Sequence, residues 1–398
     1  MRVHVVDPSA YTPPYDHALC HALGAAGAEV ELVTSRFVYG PVASADGYVR
    51  RELFYRAALG APGGRVRMAS KLAQHVPDML RYRRVARQAD VVHFQWLPVQ
   101  HLDAHLLPSR SPVGGAGRHG WAARRSAGAQ RRPRLVLTAH DVLPREPRHG
   151  QLAAQRRLYD RFDAIVVHSE HGRARLVEEL GADSNRIHVI PHGVFTHLAE
   201  RSAGVPPPPP PHQTDKPVVL CFGLMRPYKG IDVLLDAWRG AGDQAPIENA
   251  ELWIAGMPKM DISALRAAAP PNVRFDPRFI TDDELPAYFQ RADLVVLPYL
   301  QADQSGVLFT ALAFGKPLLL SDVGGFPELE STGAARVAPA GDARALRQAL
   351  GALLHDRATL AEMCVRARAA ATGRYSWEAV GRAHLELYEQ LLQEAQRR

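Results

Sequence analysis

The sequence predicts an α/β chain made of two Rossmann-like halves, and three observations carry that expectation. Short, nearly continuous runs of Val, Ile and Leu alternate with longer amphipathic stretches along most of the 398 residues, as parallel strands do when helices cover both faces of their sheet. The alternation stops at six consecutive prolines, 206–211, and then restarts. The length suits two or three domains, each large enough to bury its own core.

In the first half the strand-like runs are Val3–Val6, Glu29–Thr34, Asp90–Phe94, Arg134–His140, Ala164–Ser169 and Ile187–Ile190, with helical patterns at Tyr15–Ala26 and His171–Leu180. The prolines cannot join a sheet; they favour an extended polyproline II spacer, with a ligand for a proline-binding domain as the alternative. Beyond them come Pro217–Gly223, Ala250–Gly256, Asp293–Tyr299 and Pro317–Gly325. The expected division is a domain over 1–200, a linker over 201–216, a second domain over 217–375 and a terminal helix over 376–398. That last stretch places Trp377, Val380, His384, Leu387, Tyr388 and Leu391 at three- and four-residue steps behind a Ser376 N-cap. Ligands of doubly wound sheets gather at the C-terminal ends of strands, so a cleft between the halves is the expected site.

Composition narrows the functional classes. Three cysteines, Cys20, Cys221 and Cys364, lie too far apart for a disulfide-framed secreted module. The opening MRVHVVDPSA reaches Asp7 before a signal-peptide core can form, and no apolar run approaches a membrane span; a cytoplasmic location is expected. Net charge is +7, and only five of the 48 basic residues are lysines. An arginine excess by itself does not separate nucleic acid, acidic lipid and nucleotide phosphate. Seven arginines fall in the Ser109–Arg134 stretch, and no acidic residue occurs from Ala104 to His140; this reads as a basic loop, with contact to anionic lipid headgroups as the sharper alternative. The amphipathic segment Lys71–Arg87 is basic on its polar side, which suits either ordinary packing or peripheral membrane contact.

Two stretches carry chemistry. Gly223-Leu-Met-Arg226-Pro-Tyr-Lys229-Gly230 ends one strand and opens a helix, presenting a planar guanidinium fork and a compact ammonium at a turn suited to a diphosphate. Asp303-Gln304-Ser305-Gly306 follows the next strand and places Ser and Gly at the mouth of another helix, and Gly324-Gly325 makes a further close-approach turn. Together these describe a nucleotide-diphosphate pocket in the second half. Other chemistries lack their motifs: there is no Asp-x-Asp, no Walker sequence and no G-x-G-x-x-G after a strand. His17, Cys20 and His21 share a helix face without a further ligand pattern, so no metal site is expected. Thr281-Asp-Asp-Glu284 is a helix capping box.

The chain resembles the GT-B fold glycosyltransferases of family 4, the retaining group 1 enzymes. The segments that carry the resemblance are Ile190–Gly193, Phe222–Trp238, Leu252–Gly256, Arg278–Tyr299, Gln304–Glu328 and Tyr375–Glu378. The resemblance implies two Rossmann-like domains facing across a cleft, with the C-terminal helix returning to the N-terminal domain. It implies transfer of a sugar from a nucleoside diphosphate sugar, such as a UDP- or GDP-sugar, to a hydroxyl acceptor: a glycan, a lipid-linked sugar or a small molecule. No metal or other cofactor is implied, and no nucleic acid partner. Arg226 and Lys229 would clamp the donor diphosphate, Gly223, Ser305 and Gly306 would approach it through backbone, and His140 would face the transferred sugar. Two family glutamates fall here on Ala302 and Thr310; Asp303 or Gln304 is the candidate substitute for the first, with Thr310 at the ribose position. The family's glycine-rich turn after strand one is replaced by Asp7–His17, which suggests acceptor contacts from Tyr15 and His17. His93 and Trp96 are candidates for the acceptor wall, with core packing as the alternative. Two other functions fit the same fold: a sugar-nucleotide epimerase or hydrolase, and a non-catalytic scaffold that binds the nucleotide sugar.

Overall fold

The computed structural model describes residues 1–108, 132–143, 150–199, 209, 212–240 and 244–397. The chain divides into two compact units, one of Met1–Val167, Arg173–Ile190 and Trp377–Arg398, the other of His168–Gly172 and Pro191–Ser376. The division at Ile190 falls before the boundary expected near 200, because the segment after β7 packs its Val194 and Leu198 into the second unit's core. Of the proline run, only Pro209 is among the described residues.

The first unit is a seven-stranded parallel sheet in the order β3-β2-β1-β4-β5-β6-β7. Its strands are β1 (Arg2–Asp7), β2 (Glu29–Ser35), β3 (Val49–Phe54), β4 (Val91–Phe94), β5 (Arg134–Thr138), β6 (Ala164–Val167) and β7 (Ile187–Val189). Alternate residues feed two cores. Val3, Val5, Val91 and Val136 meet helix Pro13–Ala25 and the terminal helix Trp377–Arg397, while Val6, Val92, Leu135 and Leu137 meet the opposite layer, where Met79 and Tyr82 of helix Arg65–Val85 are buried. The terminal helix approaches helix Pro13–Ala25 closely enough that a Cβ on Gly381 would lie 2.8 Å from the Cβ of Ala22. Expulsion of apolar surface on both sheet faces holds this layer together.

The second unit is a six-stranded parallel sheet in the order β10-β9-β8-β11-β12-β13. Its strands are β8 (Val218–Phe222), β9 (Glu251–Ala255), β10 (Val273–Asp276), β11 (Leu294–Leu297), β12 (Leu318–Ser321) and β13 (Ala335–Ala338). The same alternation recurs: Leu220, Val295 and Leu320 point to one core, and Val219, Val296 and Leu319 to the other. Strands β3, β10 and β13 carry no continuous apolar run and are not evident in the sequence. All three are sheet edges, where one side meets solvent and charged residues such as Arg50, Arg51 and Glu52 are tolerated.

Two expectations about basic surfaces change. Most of Ser109–Arg134 lies outside the described residues, but Arg134 Nη1 is 2.7 Å from Asp163 Oδ1 and Arg132 lies 4.0 Å from the same carboxylate, so these two arginines have an internal anion. The Lys71–Arg87 pattern belongs to helix Arg65–Val85, whose buried side is partly polar: His75 bridges Tyr55 Oη at 2.8 Å and Asp103 Oδ1 at 2.6 Å. Among the described residues no helix is long and apolar enough to cross a membrane.

Candidate functional site

The residues expected on the donor side converge at the C-terminal ends of β8 and β11. At Gly223 the backbone takes φ +111°, and Gly256 packs so closely that a Cβ on it would sit 2.1 Å from the Gly223 carbonyl oxygen. A single 3₁₀ turn, Pro227–Lys229, then leads to Gly230 at φ +63°, where a Cβ would strike the Pro298 carbonyl at 2.0 Å. These glycines let two loops lie backbone against backbone, which no L side chain permits at that φ and spacing.

This packing buries Lys229 and leaves Arg226 exposed. Lys229 Nζ donates to Tyr299 Oη and lies 3.9 Å from the centre of that ring. Tyr299 Oη in turn shares a hydrogen bond of 3.2 Å with Ser305 Oγ. Thus Lys229 and Ser305, far apart in sequence, belong to one chain through Tyr299, a residue the sequence reading had left in its strand. A Cβ on Gly223 would be 3.2 Å from Val307 and 3.8 Å from Lys229 Nζ, so that loop joins the same locus. Helix Gly306–Ala313 begins here; Ser305 is its N-cap residue but makes no side-chain capping bond, which leaves the helix's first N–H groups and its positive dipole end for an anion. The Arg226 guanidinium makes no ion pair or hydrogen bond among the described residues.

Gln304 sits beside the Gly324-Gly325 turn. A Cβ on Gly325 would lie 2.6 Å from Gln304 Nε2, and the amide's Oε1 is buried without a hydrogen-bond partner. Asp303 holds the same turn through its carbonyl, which accepts from Gly325 N at 3.2 Å. The Thr310 hydroxyl donates to the Gly306 carbonyl at 2.9 Å inside the helix, which leaves its oxygen as an acceptor.

The first unit holds a cavity of about 460 Å³ at the ends of β4 and β5. His140 lines it, half-buried, with Nε2 at 3.1 Å from Gln95 Oε1 and its ring stacked on Trp96 at 4.9 Å and 13°. Trp96 also donates to Thr12 Oγ1 at 3.1 Å and meets Tyr11 at 4.5 Å. Behind them the Asp7 carboxylate gathers the loop after β1, accepting from the backbone N–H groups of Ser9, Tyr11 and Thr12. A buried carboxylate therefore does the organising that glycine does in the family's usual turn. Asp16 shares a hydrogen bond with it, and burial, reinforced by the Asp7 charge, holds the Asp16 carboxyl well above the usual carboxylate range. Two carboxyls buried side by side resist carrying both charges at once, which favours a shared proton.

Three expected acceptor contacts lie elsewhere. Tyr15 is 1% exposed and packs edge-on between His140 and Trp377, at 4.7 and 5.0 Å. It supports His140 from the core. His93 is fully buried, with Nδ1 at 2.7 Å from Tyr388 Oη and Nε2 at 2.7 Å from Thr138 Oγ1; it ties β4 to the terminal helix. His17 bonds Tyr48 Oη through Nδ1 at 2.9 Å and does not line the cavity. Gln155, Gln151 and Tyr11 do line it, and nothing in the sequence pattern sets the two glutamines apart. Among the described residues no group of three or more His, Cys, Asp or Glu side chains is placed to hold a metal.

Two parallel sheets of Rossmann-like order, with glycine-bearing loops at the strand ends of the second, define the GT-B architecture. Solved structures agree over the whole chain. Sucrose-phosphate synthase from Thermosynechococcus elongatus matches 99% of this chain and 100% of its own, with TM-score 0.68 and 20% identity. Anabaena HepE in complex with UDP-glucose matches 98% of this chain and 100% of its own, with TM-score 0.66 and 17% identity. Glycosyltransferase Family 4 matches residues 15–198, and Glycosyl transferases group 1 matches residues 216–356. The chain belongs to this family of glycosyltransferases. Curated relatives include a D-inositol 3-phosphate glycosyltransferase of Nocardia farcinica, 30% identical over 58% of this chain and 53% of its own. A phosphatidyl-myo-inositol mannosyltransferase of Mycobacterium leprae is 31% identical over 58% of this chain and 60% of its own. The chain thus spans a little over half the length of these curated relatives.

Proposed function

We propose that this protein is a retaining glycosyltransferase that moves a hexose-type unit from a nucleoside diphosphate sugar to a hydroxyl acceptor without a metal. The observation that carries the reading is the Lys229–Tyr299–Ser305 chain at the open start of helix Gly306–Ala313, with Arg226 unengaged beside it. Family membership and the curated names support it. As the sugar–phosphate bond breaks, negative charge grows on the departing diphosphate. Lys229, Arg226 and the helix N–H groups are cations and donors fixed in place for that charge, so they stabilise the transition state more than the ground state. The acceptor hydroxyl forms its new bond on the same sugar face and gives its proton to the departing phosphate oxygen. His140, set on Gln95 and Trp96, is assigned to contact with the transferred sugar.

The test is a proton NMR measurement of the product's anomeric configuration in the presence of excess EDTA. Retained configuration with undiminished rate is expected; an inverted product or a metal requirement contradicts the proposal. A peripheral membrane contact belongs to the same proposal. Helix Arg65–Val85 leaves Val66, Met68 and Leu72 66, 67 and 55% exposed beside Arg65 and Arg67, a pairing suited to an anionic lipid surface. Sedimentation with anionic vesicles should fall in a Val66→Ser, Met68→Ser, Leu72→Ser variant, and equal sedimentation of this variant and the unaltered chain removes that part.

A further inference from the structure

Among the described residues only two that bear a side chain take a positive φ, Ala10 at +50° and Tyr55 at +54°. That backbone is a steric outlier for L-residues and persists where the surroundings impose it. Both residues belong to the first unit, in the loops after β1 and β3, and a buried carboxylate pins each loop. Asp7 accepts from the N–H groups of Ser9, Tyr11 and Thr12, around Ala10. Asp78 accepts from Tyr55 N at 2.8 Å.

Tyr55 is pinned a second time, through its hydroxyl. Tyr55 Oη meets His75 Nδ1 at 2.8 Å, and His75 Nε2 donates to Asp103 Oδ1 at 2.6 Å. The other oxygen, Asp103 Oδ2, accepts from Val99 N at 2.8 Å. Ser9 shares a hydrogen bond with the same tyrosine hydroxyl. Tyr55, His75 and Asp103 are 6, 1 and 0% exposed, and apolar side chains could fill that space without desolvating a carboxylate and an imidazole. What apolar packing does not supply is a fixed direction along each bond.

Both ends of this chain reach the surroundings of His140. Val99 follows Trp96, Leu97 and Pro98, which line the cavity together with His140. Ser9 opens the turn that carries Tyr11 and Thr12, and that turn grips Trp96: the indole Nε1 donates to Thr12 Oγ1 at 3.1 Å, and Tyr11 meets the ring at 4.5 Å. The Trp96 ring in turn stacks on His140 at 4.9 Å and 13°. Ser9, Tyr55, His75 and Asp103 do not themselves line the cavity, so their hold on His140 runs through Trp96.

We propose that Tyr55, His75 and Asp103 are positioning residues for sugar transfer: by fixing Val99 on one side and the Ser9–Thr12 turn on the other, they set the Trp96 ring against which His140 is stacked. The word transfer rests on the glycosyltransferase reading and on the assignment of His140 to the transferred sugar; the linkage from Asp103 and Tyr55 to Trp96 does not.

The experiment is NMR of the indole N–H groups of the full chain, made with isotope-labelled tryptophan, alongside steady-state kinetics. The Trp96 resonance, assigned by its loss in Trp96→Phe, reports the bond to Thr12; Trp238 and Trp253 lie in the other unit and serve as references. Tyr55→Phe removes only the hydroxyl. Asp103→Asn keeps the shape and the Val99 bond but offers an N–H where His75 needs an acceptor. Each should move the Trp96 resonance, leave those of Trp238 and Trp253 in place, lower kcat about tenfold and keep the UDP Kd within about twofold. The double variant should lose less than the product of the single losses, because both substitutions break one chain. Ser9→Ala, at a half-buried residue, makes the same measurement if either buried substitution fails to fold, and should also move the Trp96 resonance. An unmoved Trp96 resonance in folded variants, losses that multiply in the double variant, or a fall in melting temperature with kcat unchanged overturns the proposal. A moved resonance with no sugar transfer from any donor would instead refute the glycosyltransferase reading and leave the linkage standing.

Discussion

Replacing Lys229 by alanine tests the donor site where its geometry is most specific. The ammonium is buried and oriented by Tyr299, so it reaches a phosphate already stripped of much of its water. Two unit charges about 4 Å apart at an effective dielectric near 20 attract by about 4 kcal/mol, an upper bound on what can be lost. Hydrogen bonds to charged groups contribute about 1.5–3 kcal/mol net once exchange with water is counted. At about 1.4 kcal/mol per tenfold, the UDP Kd should rise about 10- to 150-fold. Arg226 is exposed, so solvent screens it, and Arg226→Ala should cost about 0.2–1 kcal/mol, at most about fivefold in Kd. Sequence alone would rank the two cations as equals; the structure ranks them unequally. Isothermal titration of UDP into both variants, with a melting curve to confirm folding, measures the asymmetry. A folded Lys229→Ala protein that binds UDP within twofold of the unaltered chain, or an Arg226→Ala loss larger than the Lys229→Ala loss, refutes this ranking.

Other expectations follow from the same geometry. Tyr299→Phe removes the oxygen shared by Lys229 and Ser305; at about 1 kcal/mol for a net hydrogen bond, UDP affinity should fall about fivefold, and an unchanged Kd in the same titration would show the tyrosine to be mere packing. Gly256→Ala forces a Cβ to within 2.1 Å of the Gly223 carbonyl at φ +139°, and should lower stability to urea by at least about 1–3 kcal/mol and loosen UDP; a variant of normal stability contradicts the backbone contact. His140→Ala should reduce turnover on the order of a hundredfold through lost positioning while leaving UDP binding, a property of the other unit, unchanged; wild-type turnover in a steady-state assay would make the residue structural. Asp16 gives a pH prediction. Its carboxyl stays protonated in the folded chain above the pH at which it ionises when unfolded, so it lowers stability as pH rises, by about 1.4 kcal/mol per unit, starting near pH 4. Asp16→Asn keeps a donor toward Asp7 without that penalty. Urea titrations should show it more stable than the unaltered chain at pH 7 and equal to it below about pH 4; a difference independent of pH argues against the shared proton.

The central strands could be read from sequence because burial on both faces demands uninterrupted Val, Ile and Leu, as in Leu294–Leu297 and Leu318–Ser321. Edge strands escape that demand, and Val49–Phe54, exposed along much of its length, shows why. That Gly223–Gly230 and Gln304–Gly306 form loops at strand ends was legible because their glycines and polar residues lie close together in sequence. What was not legible depends on partners far along the chain. His93 reads as a strand-end histidine until Tyr388, 295 residues later, is found on its Nδ1. Tyr15 looks like part of a surface loop, yet a terminal helix covers it through Trp377. Gln155 carries no signal at all, since only folding places it with Gln95 and His140 in the lining of one cavity.

The most direct measurement is mass spectrometry of a reaction holding the protein, a panel of UDP-, GDP-, ADP- and TDP-sugars, and a panel of hydroxyl acceptors. Release of nucleoside diphosphate in step with a glycosylated acceptor, and none without acceptor, is the predicted result. Turnover of the donor without acceptor would mark an epimerase or hydrolase. Donor binding with no turnover across the panel would mark a scaffold, and either outcome would contradict sugar transfer.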